Sequence, residues 1–152
     1  MFSLSSIKSD VINRVKAMGF TTIYVGTEDN SPPFAYTIGL CAKARQQREV
    51  IVVGLPKDVA IRVLNIVGRR LINGEEMPLG VDIDQVLERY RVRFAAVSHE
   101  SFAKYGLLAS WYSREILKRD GYPQALQLLW PDQFGLLPGS RGFTAKDSQP
   151  LL

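Results

Sequence analysis

Few residues in this chain have types and spacing suited to chemistry. Arg89, Arg91 and Arg93 alternate with Tyr90, Val92 and Phe94. Strand geometry puts alternate side chains on one face, and a row of guanidinium groups grips phosphate or carboxylate through bidentate hydrogen bonds. The plainer readings are a solvated face, or an edge strand defended by charge. A second group is Pro33, Tyr36, Thr37, Trp130 and Asp132. Apolar walls with a few polar groups make a ligand cleft, with hydroxyls from Tyr36 and Thr37 and a carboxylate from Asp132. The alternative is a structural clamp, in which Trp130 stacks on the Pro32-Pro33 corner and Asp132 accepts bonds from loop amides or from Arg141.

The remaining candidates are sparse. His99 is the only histidine and Cys41 the only cysteine. A Cys41–His99 dyad needs the two to meet in space; otherwise Cys41 is a small buried residue and His99 an exposed polar one. Glu49 and Asp132 are a conceivable carboxylate pair that nothing in the sequence forces together. HExxH, CxxC, Walker-type and G-x-S-x-G motifs do not occur. One histidine and one cysteine leave no histidine- or cysteine-rich metal site within the chain. No metal site and no cofactor is assigned, and a carboxylate-bound magnesium or calcium stays open without EF-hand spacing.

The elements that position these residues centre on Ser31-Pro32-Pro33-Phe34-Ala35-Tyr36-Thr37-Ile38-Gly39-Leu40. Two prolines deliver the chain pre-extended into Phe34. Phe34, Tyr36 and Ile38 then form a large face suited to a core. Ala35, Thr37 and Gly39 form a small face that admits a helix, a second backbone or a ligand.

Before this stretch, Ile7, Val11, Val15 and Met18 predict a helix over about 6–18, capped by Ser5 or Ser6 and ended by Gly19. Phe20 to Val25 predicts a strand, and 26–31 turn it into an antiparallel hairpin with the central strand. Residues 41–48, with Lys43, Arg45 and Arg48, read as a solvated loop or an anion site. Val50 to Leu55 is a central strand buried on both faces. Pro56 opens a helix with Asp58 in its first turn. Its buried stripe is Ala60, Val63, Leu64, Val67 and Leu71, Arg69 and Arg70 lie in its last turn, and Gly74 ends it.

Val81, Ile83, Val86 and Leu87 predict a short strand and a turn or brief helix, and Tyr90 to Val97 a further strand. Ser98 caps one helix running to Gly121, lined by Phe102, Tyr105, Ala109, Tyr112 and Ile116. Gln124 to Trp130 is the last strand. The expectation is one α+β domain over 1–139, a mostly antiparallel or mixed sheet with about three helices packed on it, and a loosely docked tail over 140–152.

The chain has 152 residues, 46% apolar and 22% charged, enough for one real core in a soluble protein. No apolar run is long enough to cross a bilayer, and the first residues lack signal-peptide order. With a single cysteine these features predict the cytoplasm. A net charge of +4 permits acidic partners without establishing nucleic-acid binding.

Pro32-Pro33-Phe34-Ala35-Tyr36-Thr37-Ile38-Gly39-Leu40 resembles the signature of the bacterial domain of unknown function family 4262. Glu49-Val50-Ile51-Val52-Val53-Gly54-Leu55-Pro56 resembles the family's next strand. Leu126-Gln127-Leu128-Leu129-Trp130-Pro131-Asp132 with Gly135 resembles its late motif, and Gln149-Pro150-Leu151-Leu152 its ending. Where the family often has His-Pro-Glu, this chain has Gln47-Arg48-Glu49. Any chemistry carried by that histidine is missing here. The resemblance implies a shape and no mechanism. The expected function is a cytosolic bacterial protein-interaction or small-ligand-binding module, with a bacterial protein or small molecule as partner, a homodimer possible and no membrane. The alternatives are an enzyme acting on a small anionic substrate near Tyr36, Thr37, Trp130 and Asp132, and nucleic-acid binding by the arginine row.

Overall fold

The computed structural model describes residues 3–27 and 29–152. Glu28, within the expected turn, and Met1 and Phe2 lie outside the described residues. A six-stranded sheet runs in the order β1-β2-β3-β6-β5-β4. Its strands are β1 (Thr21–Val25), β2 (Phe34–Ile38), β3 (Glu49–Val53), β4 (Ile83–Leu87), β5 (Tyr90–Val97) and β6 (Ala125–Leu129). β3 and β6 pair parallel, and the other neighbours pair antiparallel. The fold is α+β with a mixed, mostly antiparallel sheet.

Helix α1 (Leu4–Met18) is capped by Ser3, whose hydroxyl accepts from the Ser6 amide at 3.1 Å, so the cap lies earlier than Ser5 or Ser6. Gly19 ends it at φ 88°, a left-handed conformation that glycine adopts without a Cβ penalty. β1 follows at once and forms the expected hairpin with β2, Ile23 opposite Tyr36.

The two faces of β2 divide as its alternation dictates. Tyr36 and Ile38 join Ile51, Val53, Val11 and Val15 in a core on the α1 side. Ala35 joins Val50, Val52 and the stripe of α3 (Lys57–Ile72) on the other. Ala35 therefore receives a helix, whereas Gly39, expected on the same face, leaves the strand at φ 105° and abuts Val15 of α1 instead. The five stripe residues of α3 are each at most 1% exposed, and burying a valine or leucine side chain, as at four of them, stabilises by about 1.5–3 kcal/mol. α3 comes close because Gly68 faces the sheet; a Cβ there would lie 2.4 Å from the Phe20 ring.

Two expectations about helices are corrected. Residues 41–48 are not all loop, because 40–43 form a short helix, α2 (Leu40–Lys43). The single helix expected from Ser98 is divided into α4 (His99–Tyr105), α5 (Leu107–Trp111) and a π-helical turn (Tyr112–Ile116). The break falls at Gly106, φ −90° and ψ 58°. The Phe102 ring covers that position so closely that a Cβ would sit 2.5 Å from it. Among the described residues there are five α-helices, where about three were expected. Ser98 caps α4 as expected, accepting from the Ser101 amide at 3.1 Å.

Candidate functional site

At one end of the sheet the backbone pairing of β2 with β3 stops at Tyr36 opposite Ile51. Thr37 replaces the missing ladder: its hydroxyl accepts from the Val50 amide at 2.9 Å and donates to Glu49 Oε1 at 2.8 Å. Glu49 is fully buried. It also accepts from the amides of Gly39 at 3.0 Å, Leu40 at 3.1 Å and Cys41 at 3.2 Å. Those three amides open α2, and four orphan donors in a helix first turn need acceptors. Glu49 supplies acceptors for the first amides of 40–43. Burial pushes its carboxyl above the usual carboxylate range, although the Cys41, Thr37 and Gly39 bonds pull the other way. Cys41 is buried beside it, and burial first, then the Glu49 charge, raise its thiol. The Arg119 guanidinium donates to the Cys41 carbonyl at 3.0 Å. His99 is exposed in the first turn of α4. Gln47, two residues before Glu49, is exposed at φ 54°.

Tyr36 is 2% exposed, with Phe102 edge-on at 5.9 Å between ring centroids. Its hydroxyl accepts from the Leu108 amide at 3.2 Å and so caps α5, which starts at a glycine with no side chain to do it. Burial lifts the phenol to about 12, against a smaller opposing effect of the Leu108 bond.

Trp130, Asp132 and Pro33 lie at the other end of the sheet. The Trp130 indole donates to the Val53 carbonyl at 2.7 Å, and the Pro33 carbonyl accepts from Gly54 at 2.7 Å. The two meet at Val53-Gly54. Trp130 packs with the α3-side core and Tyr36 with the opposite one, so the sheet separates them. Asp132 Oδ1 accepts from the amides of Phe134 and Leu136, and Oδ2 from the amide and hydroxyl of Thr144, all at 2.9 Å. Burial alone would raise its carboxyl; these four bonds prevail and hold it below the usual range. Asp132 accepts loop amides, one of the two expected arrangements. Glu49 lies opposite Ala125 at the start of β6, whereas Asp132 follows the end of β6.

Residues 140–152 dock here through amide side chains. Gln149 exchanges two bonds with the Trp130 backbone, at 2.8 and 2.7 Å. Gln127 donates to the Pro150 carbonyl at 2.8 Å and accepts from the Leu152 amide at 3.0 Å.

The arginine row is divided. Leu87 pairs with Tyr90, so Glu88-Arg89 is the hairpin turn and Arg89 stands at φ 71°, off the strand. Arg91 pairs with Asp84 at 3.0 Å, and Arg91 and Arg93 both pair with Asp82. β5 is interior, between β6 and β4. The edge strand is β4, and it is defended. Its pairing is irregular between Ile83 and Leu87, Gln85 sits at φ 65°, and the Arg70 guanidinium covers the Asp84 carbonyl at 2.8 Å. Bulges, charge and covered carbonyls all blunt an edge.

The opposite edge is β1, Thr21-Thr22-Ile23-Tyr24-Val25, with no charge and no proline. A depression at this edge is lined from α1 by Arg14 and Met18, from β1 by Thr21 and Thr22, and from α3 by Asn65 and Arg69. It adjoins a second on the outer side of α3, sharing Ile61, Asn65 and Arg69 with it. The second, which Asp58 also lines, shares Arg62 and Ile66 with a third, which reaches Gln85–Glu88. Arg14, Arg62 and Arg69 are exposed, and among the described residues none of them forms an ion pair. None of these residues was among the sequence candidates. The signal available was an uncharged strand beside a helix that carries Arg62, Asn65 and Arg69 outside its apolar stripe.

Among the described residues no helix is long and apolar enough to cross a membrane, and no three His, Cys, Asp or Glu side chains gather to hold a metal ion. No curated protein and no solved structure is similar enough to match the chain. A family model does match, over residues 14–144, from within α1 to the Asp132-bound loop. The chain belongs to the family described as Domain of unknown function (DUF4262).

Proposed function

We propose that this chain is a cytoplasmic bacterial protein-interaction module whose binding surface is the face formed by β1 and the outer side of α3. The observation that carries this reading is the run of three adjoining depressions along that face, with Arg14, Arg62 and Arg69 exposed and without partners among the described residues. The other polar groups considered are occupied by the fold: Glu49 and Thr37 by each other and α2, Asp132 by its loop, and Arg91 and Arg93 by Asp82 and Asp84. Arginine is enriched at protein interfaces, and open, shallow surfaces suit proteins better than small molecules. A single buried cysteine suits a reducing compartment.

Site-specific photo-crosslinking in the cells that express the protein tests this. A photoreactive residue replacing Arg62 is expected to give one defined protein adduct, and the same residue replacing Arg114, exposed on the π-helical turn, none. Equal adducts from both positions, or none from position 62, overturn the proposal.

A further inference from the structure

The two edges of the sheet are treated differently. β4 has irregular pairing, Asp84 within it and Asp82 just before it, and a guanidinium on its Asp84 carbonyl. β1 has four β-branched residues and a tyrosine in regular register with β2, with no charge, no proline and no irregularity within the strand. Every second residue of an edge strand turns its N–H and C=O away from the sheet, ready to pair with another strand. At β1 this edge lies between two helices, since Arg14 and Met18 of α1 and Asn65 and Arg69 of α3 line one depression with Thr21 and Thr22. A strand entering there would bond to backbone while its side chains point alternately towards α1 and α3. Each of those helices presents an exposed arginine to it.

Resting on the interaction reading above, we infer that β1 takes a partner's extended, acidic segment as a seventh strand. Its backbone pairs with β1, and its carboxylates meet Arg14 on one side and Arg69 on the other. Strand addition of this kind draws affinity from main-chain bonds and specificity from side-chain sites at alternate positions. A second copy of this chain is a poorer occupant. Antiparallel pairing of two β1 strands brings the arginines of both copies to one seam, where like charges repel.

The test uses a random-sequence peptide library displayed on phage and selected against the intact protein, with an unrelated protein as control. The expected winners are acidic, β-branched peptides. Hydrogen exchange should show that they protect amides within 21–25. An Arg14→Glu, Arg69→Glu double variant, changed only at exposed side chains, should bind them at least about tenfold more weakly, a change of about 1.4 kcal/mol. Raising the salt should weaken binding to the parent. Basic winners, or winners that bind without protecting 21–25, overturn strand addition by an acidic segment. So does a library that gives nothing above the control. Crosslinking from position 62 is read separately, so a positive result there with a failed selection leaves the interface standing and assigns it to a folded partner. A dimer in solution whose 21–25 amides are already protected also overturns the inference, by making the occupant a second copy.

Discussion

The Thr37 hydroxyl and the Glu49 carboxylate, 2.8 Å apart, join β2 to β3 just where their backbone pairing ends. The same carboxylate holds the first amides of α2. One buried ionisable group thus fixes a strand end, a helix start and the turn between them.

Glu49→Gln puts an amide NH2 opposite backbone N–H donors whichever way it turns, because both oxygens accept from amides. A loss of about 2–4 kcal/mol is expected, the cost of stranding buried donors. Thr37→Val removes one donor and strands the Val50 amide, at about 1–3 kcal/mol. The two changes touch one network, so urea unfolding of the double variant should show less than the sum.

Tyr36→Phe keeps the ring and removes the cap on Leu108. Because burial raises the Tyr36 phenol to about 12, its contribution is complete below the ordinary tyrosine value near 10 and is lost as pH rises through the folded value. The parent should lose up to about 3 kcal/mol from this group across that window. The Phe variant should start less stable at neutral pH and show a shallower alkaline decline. An identical alkaline slope in both proteins would refute the assignment.

For Asp132 the sign is opposite. Its carboxyl is held low by four hydrogen bonds, so its stabilisation is present above the ordinary carboxylate value and disappears as pH falls through the depressed one. Asp132→Asn should flatten the acid limb of stability against pH. It should also speed hydrogen exchange at Phe134, Leu136 and Thr144, whose amides it holds.

Gly68→Ala tests how closely α3 rides on the sheet. A methyl group at 2.4 Å from the Phe20 ring must displace it, and overpacking of this kind costs about 1–3 kcal/mol. Gly74→Ala, at the end of the same helix, has open space around it but stands at φ 95°. Its penalty is therefore backbone strain alone. Thermal melts that rank Gly68→Ala as harmless would mean that α3 can shift.

Gln149→Ala removes both side-chain bonds to the Trp130 backbone. The expected result is a loss of about 1–3 kcal/mol and faster proteolysis within 140–152. Unchanged proteolysis would show that Gln127, through Pro150 and Leu152, is enough to hold the segment.

The legibility of this fold in its sequence follows how local each cause is. The α3 stripe, the two faces of β2, the buried run at Val50 and the span of β5 follow from periodicity, and the structure has them all. The division at Gly106 does not, because it depends on a ring four residues earlier and a hydroxyl from another strand. The row of arginines read as a face because alternation assumes a strand, and a two-residue turn removed Arg89 from it. Glu49 carried a signal, a lone carboxylate opening an apolar strand, but its partners were set by how β2 ends. The β1 groove was invisible for a different reason. Its walls come from three separate elements, and an open edge is a property of strand order, which periodicity does not encode.

That order has a consequence for how the protein is made. β1, β2 and β3 are contiguous neighbours, and β4 and β5 form a hairpin, yet these two units meet in the sheet only through β6. β6 is the last strand in the chain. During synthesis both units must wait with an unpaired inner edge until 125–129 clear the ribosome, and the strand then closes them like a keystone. Until that moment the apolar strand Glu49–Val53, central in the finished sheet, has one edge without a partner strand, and it is such unpaired edges that make a partly folded chain prone to aggregate.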